Sequence, residues 1–352
     1  MNDSLPAAER KTGNSLPAQR PRTCAIIVSF RGAVDSAACV RSLLASTVPV
    51  DIVVVDTTPL DPDLAPALSF ATGTTLLRAS ENVGFGRGNN IGIHWAMGRS
   101  CYEFLFLINN DAVVSANTVE TFEKAMAVQE DVGIVVPRIA YFDDPEVLWY
   151  GGGDIDWRRA SAFTPGINKS AVAPGAMIER DVSFATGCAL FLRRSVILRL
   201  GGFDPRFFMY EEDVEFCLRA GRVGIRIRYL PAAFILHRAQ GSTRDPNVDL
   251  SDFWSVRGAR LPFYCYHIAR NRLLNVVLHA RGKNLLLAAI FYPLFLIRRA
   301  GPFLLHRRFD AIAAILRGVS SVPKALRHKY KDDRPASVQT ISEQRPDTQV
   351  VR

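Results

Sequence analysis

A chain of 352 residues, 48% apolar and 22% charged, can bury a real core, and its six scattered cysteines with no C-x-x-C pair argue against a zinc site or a disulfide framework. The net charge of +9 is unevenly spread: from Arg257 to Lys331 fifteen Lys or Arg accompany a single acid, Asp310, and the rest of the chain is net acidic. Such asymmetry points to a polyanionic partner, either anionic lipid or nucleic acid. Residues 1–22 contain no apolar run of the kind a secretory signal needs, and they read as a disordered leader, so the expected location is the cytosol or its membrane face.

In chain order, "CAIIVSF" (24–30) is a buried-strand signal, followed by the amphipathic helix pattern "DSAACVRSLLAS". "DIVVVD" (51–56) and "TTLLRA" (74–79) repeat the strand signal, and "GNNIGIHWAMGRS" predicts a helix beginning near a glycine loop. "EFLFLIN" (103–109) predicts a fourth strand and "ANTVETFEKAMAVQE" another helix. This alternation predicts an α/β fold with a mostly parallel central sheet flanked by helices, whose ligands sit at the carboxyl ends of the strands. Beyond Pro137 the pattern is irregular, with a loop-like run to Arg180, then a strand in "CALFLRR" and a short helix in "SVILRLGG". An acidic helix start in "YEEDVEFCLRAG" and one or two strands in "IRIRYLPAAFILH" follow. The stretch 284–297, "NLLLAAIFYPLFLI", is apolar on all sides but about 14 residues long, against the roughly 20 that span a bilayer. With Arg298, Arg299, Arg307 and Arg308 beside it, it reads as an amphipathic or re-entrant element on an anionic membrane surface. The alternative is a helix packed on protein, including at a homo-oligomer interface.

The glycine-rich "NVGFGRGNNIG" (82–92) is not the dinucleotide fingerprint G-x-G-x-x-G, because Asn89 stands where the third glycine belongs and two strands precede it. "SFRGAVDS", at the first turn, lacks those glycines as well, which disfavours a nicotinamide oxidoreductase. Asp56 closes one apolar strand and could bind a base or a ribose, or simply cap the "DTTP" turn. Asp111 closes another in "INNDA" and suits a hard cation on a diphosphate, with Asn109 and Asn110 as weaker oxygen donors, though a helix cap is an equal alternative. Glu211, Glu212 and Asp213 crowd the first turn of a helix, where mutual repulsion raises a carboxyl pKa toward general-base values. His237 ends a strand; taken alone it reads as structural, and beside a metal-bearing Asp111 it reads as a ligand.

Together and in order, "AIIVSF", "IVVVD", "ENVGFGRGNNIGI", "FLFLINNDA", "ATGCALFLRR", "GGFDPRFFMYEEDVEFCLR" and "HRAQGST" resemble the inverting family-2 glycosyltransferases of GT-A fold, rhamnosyltransferase-like branch. The likeness covers roughly residues 24–243, and "RNRLLN" (270–275) is common in that branch too. It implies that Ser29, Asp56, Asn82, Gly84, Gly88, Asn89, Asn110 and Gly187 line or support a nucleotide-sugar pocket. Asp111 and His237 would hold Mg²⁺ or Mn²⁺ on the diphosphate, and Asp213, paired with Glu212, would be the catalytic base. Four departures stand out: the family's D-x-D reads Asn109-Asn110-Asp111, "DTTP" replaces an Asp-Asn-x-Ser pattern, Phe30-Arg31 stands where Tyr-Asn is common, and Glu215 replaces the frequent last Asp of Glu-Asp-x-Asp. The implied activity is transfer of a sugar, with rhamnose foremost, from a nucleoside diphosphate to a lipid-linked or polysaccharide acceptor. The expected organisation is a leader (1–22), a GT-A domain (23–250), a helical membrane-associating extension (251–331) and a disordered tail (332–352). The apolar run and scarce exposed aromatics of the extension favour lipid over nucleic acid.

Overall fold

The computed structural model describes residues 20–58, 61–99, 101–239, 256, 258, 260–327 and 338–342. Most of the expected leader and the "QGST" end of the last motif lie outside these residues. The first half alternates as the sequence predicts: β1 (Thr23–Ser29), α1 (Ala33–Leu44), β2 (Val50–Asp56), α2 (Leu64–Ala67), β3 (Thr75–Ala79), α3 (Gly84–Met97), β4 (Phe104–Asn109), β5 (Ala112–Val114) and α4 (Thr118–Val128). Then come β6 (Val132–Tyr141), β7 (Leu148–Tyr150), β8 (Asp154–Asp156), β9 (Ser161–Phe163), β10 (Arg180–Val182), β11 (Ala189–Arg193), α5 (Arg194–Leu200), α6 (Glu212–Arg222) and β12 (Arg226–His237). The last part holds α7 (Leu261–His279), α8 (Lys283–Leu305), α9 (Phe309–Ser320), α10 (Val322–Arg327) and β13 (Val338–Ser342).

One large sheet runs β10-β12-β6-β11-β4-β1-β2-β3-β13, with β5 beside β12 and β7 beside β6. Strands β3, β2, β1 and β4 are parallel, and their apolar runs are continuous because helices cover both faces. Their register aligns Ser29 with Asp56 and Val28 with Asn109, so the polar strand ends emerge along one edge. β11 enters antiparallel between β4 and β6, whereas β12 runs parallel to β6. The stretch expected to be one or two strands is the single β12, whose register slips between Leu230 and Phe234 around Pro231. Proline has no N–H to give the ladder, so a bulge there is its physical consequence.

Helix α3 begins at Gly84, so the supposed glycine loop is its first turns. A Cβ on Gly88 would lie 2.8 Å from Val28 Cγ1, and one on Gly92 would overlap Ile26. The glycines therefore let α3 lie close on β1. Gly84 has φ +80°, and a side chain there would collide with the Phe208 carbonyl, which accepts the Phe85 N–H at 3.0 Å.

The C-terminal helices pack through α7, whose Leu261, Cys265 and Ala269 meet Phe303, Ala311, Ala314 and Ile315. The apolar element expected over 284–297 is longer in the structure. α8 runs 23 residues through Pro293 and Pro302, long and apolar enough to cross a membrane by length and composition, with 11% of its most apolar window buried. The polar tail, expected to be unstructured, contributes β13, which pairs antiparallel with β3.

Candidate active site

A cavity of about 770 Å³ opens at the carboxyl ends of β1 and β4 and is closed on the far side by the segment before α6 and the start of α7. Its wall includes Thr57, Asn82, Gly84, Phe85, Asn110, Asp111, Gly187, Glu212, Asp213 and His237. Asn82 Oδ1 accepts the Gly84 N–H at 3.0 Å and so sets the entry into α3. Asn110 Nδ2 donates to Ser36 Oγ at 3.2 Å, which fixes its carboxamide beside Asp111.

Four residues expected at the pocket stand behind its wall. Ser29 is fully buried, and its Oγ accepts from Ser36 Oγ at 2.9 Å, tying β1 to α1. Gly88 faces Val28, and the buried Asn89 donates Nδ2 to the Phe85 carbonyl at 3.1 Å, a bond inside α3. Asp56 is also fully buried: Oδ1 accepts the Thr58 N–H at 2.8 Å and Oδ2 accepts Arg78 Nε at 2.9 Å. Burial pushes its pKa up, while Thr58 and Arg78 hold it down, and burial prevails. Asp56 thus shapes the "DTTP" turn and presents Thr57, which does line the cavity. The "DTTP" departure has this physical content: the aspartate is spent on its own turn and on Arg78.

Asp111 and His237 meet because β5 pairs antiparallel with β12, setting Ala112 opposite His237. His237 Nε2 lies 3.1 Å from Asp111 Oδ1 and 3.4 Å from Asn109 Nδ2, and the ring is buried. The edge of the Trp149 ring packs against the imidazole, with centroids 4.4 Å apart. Burial disfavours the imidazolium, but the Cys188 sulfur and the Asp111 carboxylate beside it outweigh burial and lift the His237 pKa well above its usual value. One carboxylate and one imidazole on a shared wall fit a hard divalent cation that keeps its remaining positions for substrate oxygens. Among the described residues no third His, Cys, Asp or Glu joins them, so the donor set suits a cation completed by a diphosphate rather than a closed structural site.

Across the cavity, α6 carries Glu212 and Asp213 in its first turn. Asp213 Oδ2 accepts the Gly187 N–H at 3.0 Å and Oδ1 accepts the Val214 N–H at 2.9 Å, which fixes the plane of the carboxylate. Burial raises its pKa to about 6, with the Gly187 N–H opposing and the Glu211 charge adding. Glu212 is pushed well above the carboxylate range, first by burial and then by the Asp213 charge. Asp213 is therefore mostly ionised at neutral pH yet more basic than an ordinary aspartate, the condition general-base work needs.

Several contributors escaped the sequence reading. Trp149 comes from the irregular stretch after Pro137, where no periodicity marks it. Tyr210, Arg260, Phe263 and Tyr264 also line the cavity. Asn90 binds Phe203 reciprocally, Nδ2 to its carbonyl at 2.8 Å and Oδ1 from its N–H at 2.7 Å, joining the glycine-rich motif to "GGFDPRFF". The signal for Asn90 is in the sequence, since both motifs stand out there, but their contact does not.

Residues 104–306 match the family model described as Glycosyl transferase family group 2. Among curated proteins, Rhamnosyltransferase WbbL of Escherichia coli K12 is 27% identical over 173 residues, 46% of this chain and 63% of that protein. The N-acetylglucosaminyl-diphospho-decaprenol L-rhamnosyltransferase of Mycobacterium tuberculosis H37Rv is 46% identical over 69 residues, 19% of this chain and 22% of that protein. The chain thus spans less than two thirds of the length of these relatives. Among solved structures, S. aureus TarS 1–349 in complex with UDP-GlcNAc superposes with a TM-score of 0.52 at 12% identity, covering 86% of this chain and 81% of that one. GalNAc-T7 with UDP, GalNAc and Mn²⁺ gives a TM-score of 0.52 at 16% identity, covering 71% of this chain and 51% of that one. At such identities the structural likeness speaks for the GT-A fold alone.

Proposed function

Since the chain belongs to glycosyl transferase family group 2, we propose that it is an inverting glycosyltransferase that moves a sugar from a nucleoside diphosphate to an acceptor hydroxyl. The observation that carries this reading is that Asp213, with a pKa of about 6, shares the wall of one cavity with the Asp111–His237 pair. Asp213 accepts the proton of the acceptor hydroxyl as that oxygen bonds to the anomeric carbon and the bond to the nucleoside diphosphate breaks. Attack from the face opposite the leaving group inverts the centre once. The Gly187 and Val214 N–H groups hold the Asp213 carboxylate in place, and Asn82 and Thr57 face the nucleotide. Asp111 and His237 would hold Mg²⁺ or Mn²⁺, which supplies Lewis-acid stabilisation to the departing diphosphate when bound.

Rhamnose is the favoured sugar, supported by the two rhamnosyltransferase relatives, and a lipid-linked acceptor is supported by the decaprenol in the name of one of them. α8 suits access to such an acceptor from the membrane surface. Its exposed Leu286, Ile290, Leu294 and Ile297 fall on one stripe, with exposed Arg281, Arg298 and Arg307 nearby. The protein then works peripherally on the cytoplasmic face. A thermal-shift panel of dTDP, UDP and GDP, with and without Mn²⁺, followed by turnover of the matching sugar donors, tests the activity. A metal-dependent rise with one diphosphate and transfer from its sugar is the expected result. No rise with any diphosphate, and no turnover, would sink the reading. Co-sedimentation with anionic vesicles, released by salt, tests the membrane part.

A further inference from the structure

Resting on that reading, a second layer of the site is visible in α7. Immediately before the base-bearing helix, Tyr210 and Glu211 both have φ of 67°, two consecutive left-handed residues that carry side chains. Residues with a Cβ disfavour that conformation, so something must hold it. The holding groups come from one patch of α7. Asn271 Nδ2 donates to the Met209 carbonyl at 2.9 Å and to the Tyr210 carbonyl at 2.7 Å. One turn later, Asn275 Nδ2 donates to the Glu211 carbonyl at 3.2 Å. Arg272 Nε meets Glu211 Oε1 at 2.7 Å, an oxygen that also accepts from Ser161 Oγ at 2.7 Å. Arg270 Nη1 donates to the Arg206 carbonyl at 2.9 Å. Asn271 and Asn275 are 0% and 1% exposed, so these bonds face no competition from solvent.

We propose that Asn271, Arg272 and Asn275 are positioning residues for the transfer: by holding three successive carbonyls and the Glu211 side chain, they fix the start of α6 and so the direction from which Asp213 enters the cavity. The first turn of α6 has no side-chain cap of its own, since Glu211 stands at the N-cap position in the left-handed conformation without a capping bond. Its orientation is therefore set from outside, by α7. A plain staple between the two parts of the chain would use the same bonds, and the two readings separate in kinetics. A misaimed base slows chemistry while leaving donor binding intact, whereas a lost staple lowers stability and leaves the folded fraction at full rate.

The test compares wild type, Asn271→Ala and Asn275→Ala in release of dTDP from dTDP-rhamnose with Mn²⁺, alongside the thermal shift given by dTDP and Mn²⁺. Backbone hydrogen exchange is followed over residues 206–214 and over β1 and β4. The expected result is a 10- to 100-fold fall in kcat with donor KM within about twofold, an unchanged dTDP shift, and faster exchange confined to 206–214. Should Asn271→Ala fail to fold, Arg272→Met carries the same comparison, because Arg272 lies at the edge of the patch and keeps 18% of its side chain exposed. Unchanged kcat in the folded variants, or exchange rising equally in the sheet, overturns the proposal. Absence of turnover in wild type would instead count against the proposed function. The exchange pattern then decides the clamp by itself: no local rise over 206–214 overturns it.

Discussion

Replacing Asp213 by Asn keeps the shape of the side chain and removes the group that takes the proton. General-base contributions of 10²- to 10⁴-fold correspond to roughly 3–5 kcal/mol of lost transition-state stabilisation, and turnover should fall by that factor with donor affinity retained. The same substitution should make the protein more stable at pH 8. The folded state lifts this carboxyl from the ordinary aspartate value of 3.8 to about 6, so ionising it opposes folding. That displacement is worth about 3 kcal/mol at full strength. Water in the cavity screens part of it, and Asn keeps only one acceptor for the Gly187 and Val214 N–H groups, at a cost of about 1 kcal/mol. A net gain of about 1–2 kcal/mol remains, a rise of a few degrees in Tm. The sign follows from linkage. The wild-type penalty is absent below pH about 3.8, grows as pH rises toward 6, and is complete above it, so the advantage of the variant should vanish in acid. The paired assays are donor turnover and denaturant unfolding at pH 4 and pH 8. A variant that keeps more than a tenth of the activity, or is less stable than wild type at pH 8, would refute the reasoning.

Asp111→Asn and His237→Ala should each abolish the Mn²⁺-dependent part of the thermal shift given by the nucleoside diphosphate, with the metal-free proteins still folded; a retained metal effect would move the cation elsewhere. Arg78→Ala leaves the fully buried Asp56 without its ion pair and should cost about 3 kcal/mol in urea unfolding at neutral pH. Because the Asp56 pKa then rises further, the loss should shrink as pH falls and the carboxyl takes up its proton. Gly92→Ala drives a methyl into Ile26 of β1 and should cost about 1–3 kcal/mol with an unchanged m-value, measured by the shift in the urea midpoint.

The half of the fold made by βα repeats was legible because buried parallel strands are unbroken apolar runs, and β1, β2 and β4 are such runs. Asp111 and His237 were legible as a pair for a related reason: each ends an apolar strand, and strand ends share an edge. The direction of β11 was not legible, since "CALFLRR" looks the same run either way, and only its pairing with β4 and β6 orients it. The surroundings of Asp56 were not legible, because a strand-end aspartate gives no sign that its oxygens meet Thr58 and Arg78. Trp149 was invisible because its three-residue strand is too short to show a period. α8 was read short because Pro293 and the Arg298-Arg299 pair look like an end. The helix continues, with Arg298 on the exposed side.

The remaining ambiguity within the site is which of two adjacent carboxyls is the base, and their surroundings separate them. Glu212 is 5% exposed, its Oε2 lacks a hydrogen-bond partner among the described residues, and burial with the Asp213 charge raises its pKa well above the carboxylate range. Asp213 has two backbone N–H donors to stabilise its charge and stays near 6. Burial and the Asp213 charge thus favour the protonated form of Glu212, a carboxylic acid able to donate a hydrogen bond into the cavity, while the two N–H donors favour the charged form of Asp213. Gln is then a near-isostere of the working form of Glu212. Glu212→Gln should retain turnover within about tenfold of wild type, and the rising limb of the pH–rate profile should stay near 6. A 10²- to 10⁴-fold loss in Glu212→Gln, with Asp213→Asn still active, would reverse the assignment, because only the group that accepts the proton is irreplaceable by its amide.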